Sequence, residues 1–328
     1  MVEVKSVLDN LLVFHVLIGL SQGRKKLKAE DIGIQEPDAA LISLGSKKVF
    51  DPERLLPFRM IRNKAFRLCR EYGVRFMDSP TLFAVEVGPK AKKLAAELKL
   101  LEAEFAAEKA ILVPQVDAIV AAWRAQHATH EQALKESFSS DYFDNTLSFA
   151  FHCARIGTSD TPELDGPLVG NITSLGDVLI REISEDAAET FKTSFIGKNR
   201  CSHRALAPLR RISDKLKSLG FLTASAAALA KFVDETVSAM PPKGGYIEGA
   251  DFLRLSFLVG TLGEPKQIAK YLSGTLQAPA FDEAAQTEDD DTSTEELSAG
   301  DALLMFEVAP VIPVPPVVTP QAAKSAWF

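Results

Sequence analysis

The sequence predicts a mainly α-helical protein with a small α/β head at its N-terminal end and an acidic, proline-rich tail. Three observations predict it. A nearly unbroken apolar run, Val4–Leu20, precedes a proline-started helix and two short β-rich runs. Beyond Pro89, apolar residues recur every three or four positions. Beyond Phe281, acids and then prolines take over. The expected division is an α/β head over 1–88 and a long helical hairpin or coiled-coil-like bundle over 89–280. Its last helices pack back on the head, and a disordered tail occupies 281–328.

Taken in order, Val4–Leu20 is rich in β-branched and aromatic residues and suits a buried strand, with a helix up to Phe14 as the alternative. "SQGRKK" breaks it, Gly23 being free to turn. In "FDPERLLPFRMIRNKAFRLCREYG", Asp51 is placed to cap a helix and Pro52 to occupy its first position. Pro57 predicts a late start or small kink. "VRFM" and "TLFAVEV" read as strands. Leu94, Leu98, Leu101, Phe105, Leu112, Val116, Ile119 and Trp123 form one apolar stripe on a long helix, which Pro114 bends or divides. Helical pattern resumes through "HEQALKESFSSDYFDNTLSFAFHCARIG", and "TSDTPELDGPLVGN" is a loop. Further helices are expected after Ser174, over Ala207–Leu219, Ser225–Met240, Ala250–Leu262 and Pro265–Leu272, with a turn at Pro241–Gly245.

The 328 residues, 46% hydrophobic and 25% charged, have the composition of a soluble globular protein. No secretory signal is expected from the first residues, and no apolar stretch reaches membrane-spanning length, so no membrane partner is expected. Three scattered cysteines argue against a disulfide framework and for a cytoplasmic location. The net charge of −7 is an average over unlike parts. Residues 282–328 hold ten acids against Lys324, a local −9 that leaves the preceding 281 residues at +2.

Signs of catalysis are weak. No GxxxxGK[ST] or GxGxxG occurs, so neither a standard phosphate loop nor a dinucleotide site is expected. His127 and His130 stand three apart, but "QHATHEQ" is polar on every side and reads as surface. "CSH" at Cys201–His203 and "HC" at His152–Cys153 lack an orienting third residue. Acid pairs fall on solvated helix faces or in the tail. The expectation is therefore a protein without catalytic residues, metal or cofactor.

Basic clusters speak more clearly. Lys192, Lys198, Arg200, Arg204, Arg210, Arg211, Lys215 and Lys217 face Asp214 alone, a local +7. The helix near Arg54–Arg75 adds seven bases, and Arg24, Lys25 and Lys26 three more. The residues expected to meet phosphates or an acidic partner are Arg24, Lys25, Lys26, Lys198, Arg200, Arg204, Arg210 and Arg211. The plainer alternative pairs the arginines with neighbouring acids such as Glu182 or Glu185. In the tail, Trp327 and Phe328 are candidate docking anchors.

"LLVFHVLIGLSQGRKKLKAEDIG", "LGSKKVFDPERLLPFRMIRNKAFRLCREYGVRFM" and "VDAIVAAW" together resemble an uncharacterised family of bacterial and phage mobile elements, over roughly residues 7–275. Its members are commonly encoded near a MoxR-type AAA+ ATPase, related to the cobaltochelatase small subunit, and a von Willebrand A-domain protein. The resemblance implies a non-enzymatic adaptor or accessory of such an ATPase as the leading expectation. The alternatives are a nucleic-acid-binding protein of recombination or element maintenance, and a structural protein that self-assembles through 90–126.

Overall fold

Alternation along one strand organises the core. A computed structural model of the chain describes residues 4–33, 43–158, 165–242 and 245–277. In it β1 (Leu11–Gly19) sends Leu11 and Val13 to one hydrophobic cluster and Phe14 and Val16 to another, as the period-two geometry of a strand requires. β4 (Gly73–Arg75), β5 (Leu82–Glu86), β1 and β6 (Ser148–Ala154) form an antiparallel sheet in that order. A separate ribbon pairs β2 (Arg24–Lys26) with β3 (Ser46–Lys48), and β7 (Arg200–Ser202) pairs with β8 (Tyr246–Glu248).

One sheet face carries α2 (Leu56–Tyr72), α3 (Pro89–Leu112), α4 (Val116–Gln126) and α5 (Ser140–Thr146). The other face is buried, at one end only, by α1 (Val4–Asp9), α6 (Gly166–Thr173) and α7 (Leu175–Ser194). Behind these lie α8 (Leu206–Ser218), α9 (Ser225–Ser238), α10 (Gly249–Gly263) and α11 (Pro265–Leu272). The protein is mainly helical with a small sheet, and Met1–Asp282 make up one compact unit.

Several local expectations hold for the stated reasons. Asp51 accepts from the Glu53 amide at 2.9 Å, Pro52 opens a 3-10 turn, and α2 begins late, with Pro57 in its first positions. Pro114 sits in a 3-10 turn that separates α3 from α4. Other expectations need correction. Val4–Leu20 is divided: Asn10 bonds back to the Ser6 carbonyl and ends a short helix before the strand. "LSFAFHCA" is an edge strand and not helix, because Phe149 and Phe151 pack on the α2–α3 cluster while its backbone completes the β1 ladder. Residues 166–170, expected as loop, open α6. Ser174 precedes α7, but its hydroxyl turns back to the Asn171 carbonyl and caps nothing.

The largest correction concerns the stripe on α3 and α4. Leu94, Leu98, Leu101, Phe105, Leu112, Val116 and Ile119 are buried against α2 and the sheet. The chain itself thus covers this stripe, while Leu100 and Ile111 of the same segment stay exposed. The expected boundary after residue 88 also runs through this core, since α3 and β6 pack on β1 and β5. Residues 278–328, including the tail and its Trp327 and Phe328, lie outside the described residues.

Candidate functional site

The junction after β1 forms a basic ribbon. Gly23, at φ +65°, has its Cα position so close to Phe50 and Leu55 that an added Cβ would lie 3.1–3.3 Å from their side chains. The turn therefore needs glycine both for its dihedral and for space. It sets Arg24 opposite Lys48 and Lys25 opposite Lys47, like charges that disfavour the pairing when left alone. The inward pair is neutralised. Lys47, nearly buried, hydrogen-bonds Asp31 at 2.5 Å, and that bond holds the Asp31 carboxyl below its usual range against the cost of burial. Lys25 lies 5.1 Å over the Phe138 ring. The outward set, Arg24, Lys26 and Lys48, is exposed with no acid at ion-pair distance among the described residues. Beside it, Trp123 donates to the Lys48 carbonyl at 3.3 Å and its ring centre is 4.2 Å from that of His127.

A second basic face is larger. α2 buries Phe58, Ile61, Ala65 and Cys69, so its outer side carries Arg59, Arg62, Arg67 and Arg70. None of these four has an acid at ion-pair distance among the described residues, whereas Lys64 pairs with Glu104 and Arg54 with Asp51. Leu56 and Met60, 50% and 63% exposed, lie among them. At its C-terminal end α2 meets α7 and α8. There Lys215, 4% exposed, donates to Glu182 at 2.7 Å and to the Arg70 carbonyl at 2.8 Å. Glu182, 5% exposed, also accepts from the Arg75 amide at 3.0 Å. Asp186 keeps an exposed edge, yet burial raises its carboxyl above the usual range, against the pull of Lys215, Arg70 and Arg211. Arg70 and Arg211 thus both act on one carboxylate, and the Lys215 bond to the Arg70 carbonyl joins the C-terminal end of α2 to α8, the helix that carries Arg210 and Arg211.

The eight expected contacts do not form one patch. Arg24–Lys26 sit on the ribbon beside α4, while Lys198–Arg211 sit on elements of the opposite core. Lys198 is taken up by the Thr193 carbonyl at 2.6 Å, where it closes α7, and Arg200 stacks 4.4 Å over Tyr246. Arg204, Arg210 and Arg211 remain exposed. The acid Glu182, offered as an arginine partner, takes Arg75 at 3.9 Å but chiefly Lys215. Lys48 was absent from the expected set; only the register of the ribbon brings it opposite Arg24.

Reactive side chains stay apart. Among the described residues, no three His, Cys, Asp or Glu side chains converge as metal ligands. Cys69 is buried in the α2–α3 core, and burial pushes its thiol up to about 12. Cys201 is buried and Cys153 exposed, both free. An open hollow between α8 and α9 is crossed at its rim by the Lys217–Asp234 pair.

Fold and surface together define a mainly helical protein on a four-stranded antiparallel sheet, with unpaired basic residues on the β2–β3 ribbon and on the outer side of α2. The chain belongs to the family described as "Protein of unknown function (DUF3150)", whose model matches residues 8–264. No curated protein and no solved structure matches it. No helix among the described residues is long and apolar enough to cross a membrane.

Proposed function

We propose that this protein is a non-enzymatic accessory factor that binds nucleic acid through the outer face of α2. One observation carries the reading: Arg59, Arg62, Arg67 and Arg70 share a helix side with no acid at ion-pair distance among the described residues. Such guanidinium groups suit phosphate oxygens, which they engage bidentately. Arg59 to Arg70 spans about 16 Å at the helical rise, roughly five phosphate steps of one strand. Arg210 and Arg211 extend the face, and Arg24, Lys26 and Lys48 offer a separate contact. The reading sets the work in the cytoplasm, supported by three free cysteines. Fluorescence anisotropy with a labelled DNA duplex tests it. The triple variant Arg62→Glu, Arg67→Glu, Arg70→Glu loses binding, and unchanged affinity sinks the reading.

A second reading is the adaptor of a MoxR-type AAA+ ATPase, with a von Willebrand A-domain protein beside it in a phage or mobile element. The family resemblance suggests it, and the exposed Leu56 and Met60 among arginines favour it. Apolar anchors with arginine are the usual core of a protein interface. Native pull-down with Leu56→Glu and Met60→Glu separates the two: loss of a bound ATPase with DNA affinity intact supports the adaptor.

A further inference from the structure

We propose that His15 and His152 form a two-imidazole site for a divalent late first-row metal ion, Ni²⁺, Cu²⁺ or Zn²⁺, on the open end of the sheet. The register of β1 and β6 sets these residues directly opposite each other. Directly opposed residues in an antiparallel pair project to the same face with Cβ atoms about 4.5–5.5 Å apart. Two imidazoles on that base can turn one nitrogen each toward a shared ion at about 2.0–2.1 Å.

The face is accessible. α1, α6 and α7 cover the sheet over Leu11, Val13 and Ala84; His15 lies at the margin of that cover, half-buried, with Leu82 opposite it packed on the cluster's edge. Beyond it on the same side, Leu17 is 41% exposed and His152 is exposed. Neither imidazole has a hydrogen bond or ion pair with a described residue that occupies its nitrogens. The other three histidines differ in other ways. The His127 ring donates to the Trp123 carbonyl, His130 has no histidine opposite it, and His203 buries its Nε2. With no third protein ligand converging among the described residues, water completes the coordination. Such a site is exchangeable, and when filled it staples the edge strand to β1.

Imidazole ligands select late transition ions over Mg²⁺, and an ion that binds only the folded form raises its stability. Titration calorimetry and thermal unfolding of the full chain with NiCl₂ read both effects. One saturable site and a rise in Tm with Ni²⁺, absent with MgCl₂, are expected. His152→Ala and the milder His15→Gln each weaken binding at least ten-fold and abolish the Tm rise. His127→Ala with His130→Ala, and Cys153→Ser, leave both unchanged. Wild-type protein that shows no saturable Ni²⁺ binding, or binding that survives in a folded His152→Ala variant, overturns the proposal.

Discussion

Replacing Lys215 by methionine tests the joint between the two cores. The methionine keeps most of the volume but removes the ammonium that bridges Glu182 and the Arg70 carbonyl. Glu182 stays 5% exposed, with the Arg75 amide as its main remaining donor at 3.0 Å. Removing one member of a buried pair costs about 3–5 kcal/mol, chiefly from the charge left behind. The retained Arg75 contacts put the value near the lower end, about 3 kcal/mol. For a domain of this size each kcal/mol moves Tm by about 2–4 °C, so a fall of about 6–12 °C is expected. Scanning calorimetry and urea unfolding measure it. Replacing both members, Glu182→Leu with Lys215→Met, recovers most of the loss, because no charge is stranded. A single variant within about 1 kcal/mol of wild type, or a double variant worse than the single, refutes the reasoning.

Other expectations follow from the same physical terms. Gly73→Ala sets a Cβ 2.5 Å from the Ala84 carbonyl oxygen across the β4–β5 pair, and the forced shift costs about 1–3 kcal/mol in urea unfolding. Asp31→Asn weakens the tie to Lys47 and costs about 1–2 kcal/mol at pH 7. Because the Asp31 carboxyl is held below its ordinary value of 3.8, its contribution is present above that pH and fades as pH falls through the lowered value. The variant and wild type therefore converge in stability as the pH falls below that lowered value. Arg210→Ala with Arg211→Ala weakens duplex binding less than the α2 triple variant does, since these residues only extend the main face.

How far the sequence reached depended on whether a signal was local. Asp51–Pro52, Pro57 and Pro114 act within a few residues of themselves, and each helix boundary they imply is present. β6 is different. "SFAFHCA" continues a helical pattern, and only the distant β1, more than a hundred residues away, supplies the ladder that makes it a strand. The α3 stripe posed the same difficulty, for a heptad-like pattern cannot say whether its cover is another chain or the helix before it. Charge was readable as composition but not as place. Lys198 and Arg200 counted toward one basic run, yet a helix end and a tyrosine ring absorb them. The α2 arginines lie off the buried Phe58–Ala65 stripe without an acid at ion-pair distance among the described residues, although Arg62 rests 5.3 Å over the Phe66 ring.

The salt dependence of DNA affinity tests the central claim most directly. If the four arginines of α2 replace counterions on a duplex, log K plotted against log salt falls with a slope of about −3.6. Removing Arg67 alone then reduces the slope to about −2.7 and weakens binding to all sequences alike. A slope near zero, or a slope that Arg67→Ala leaves unchanged, contradicts the account.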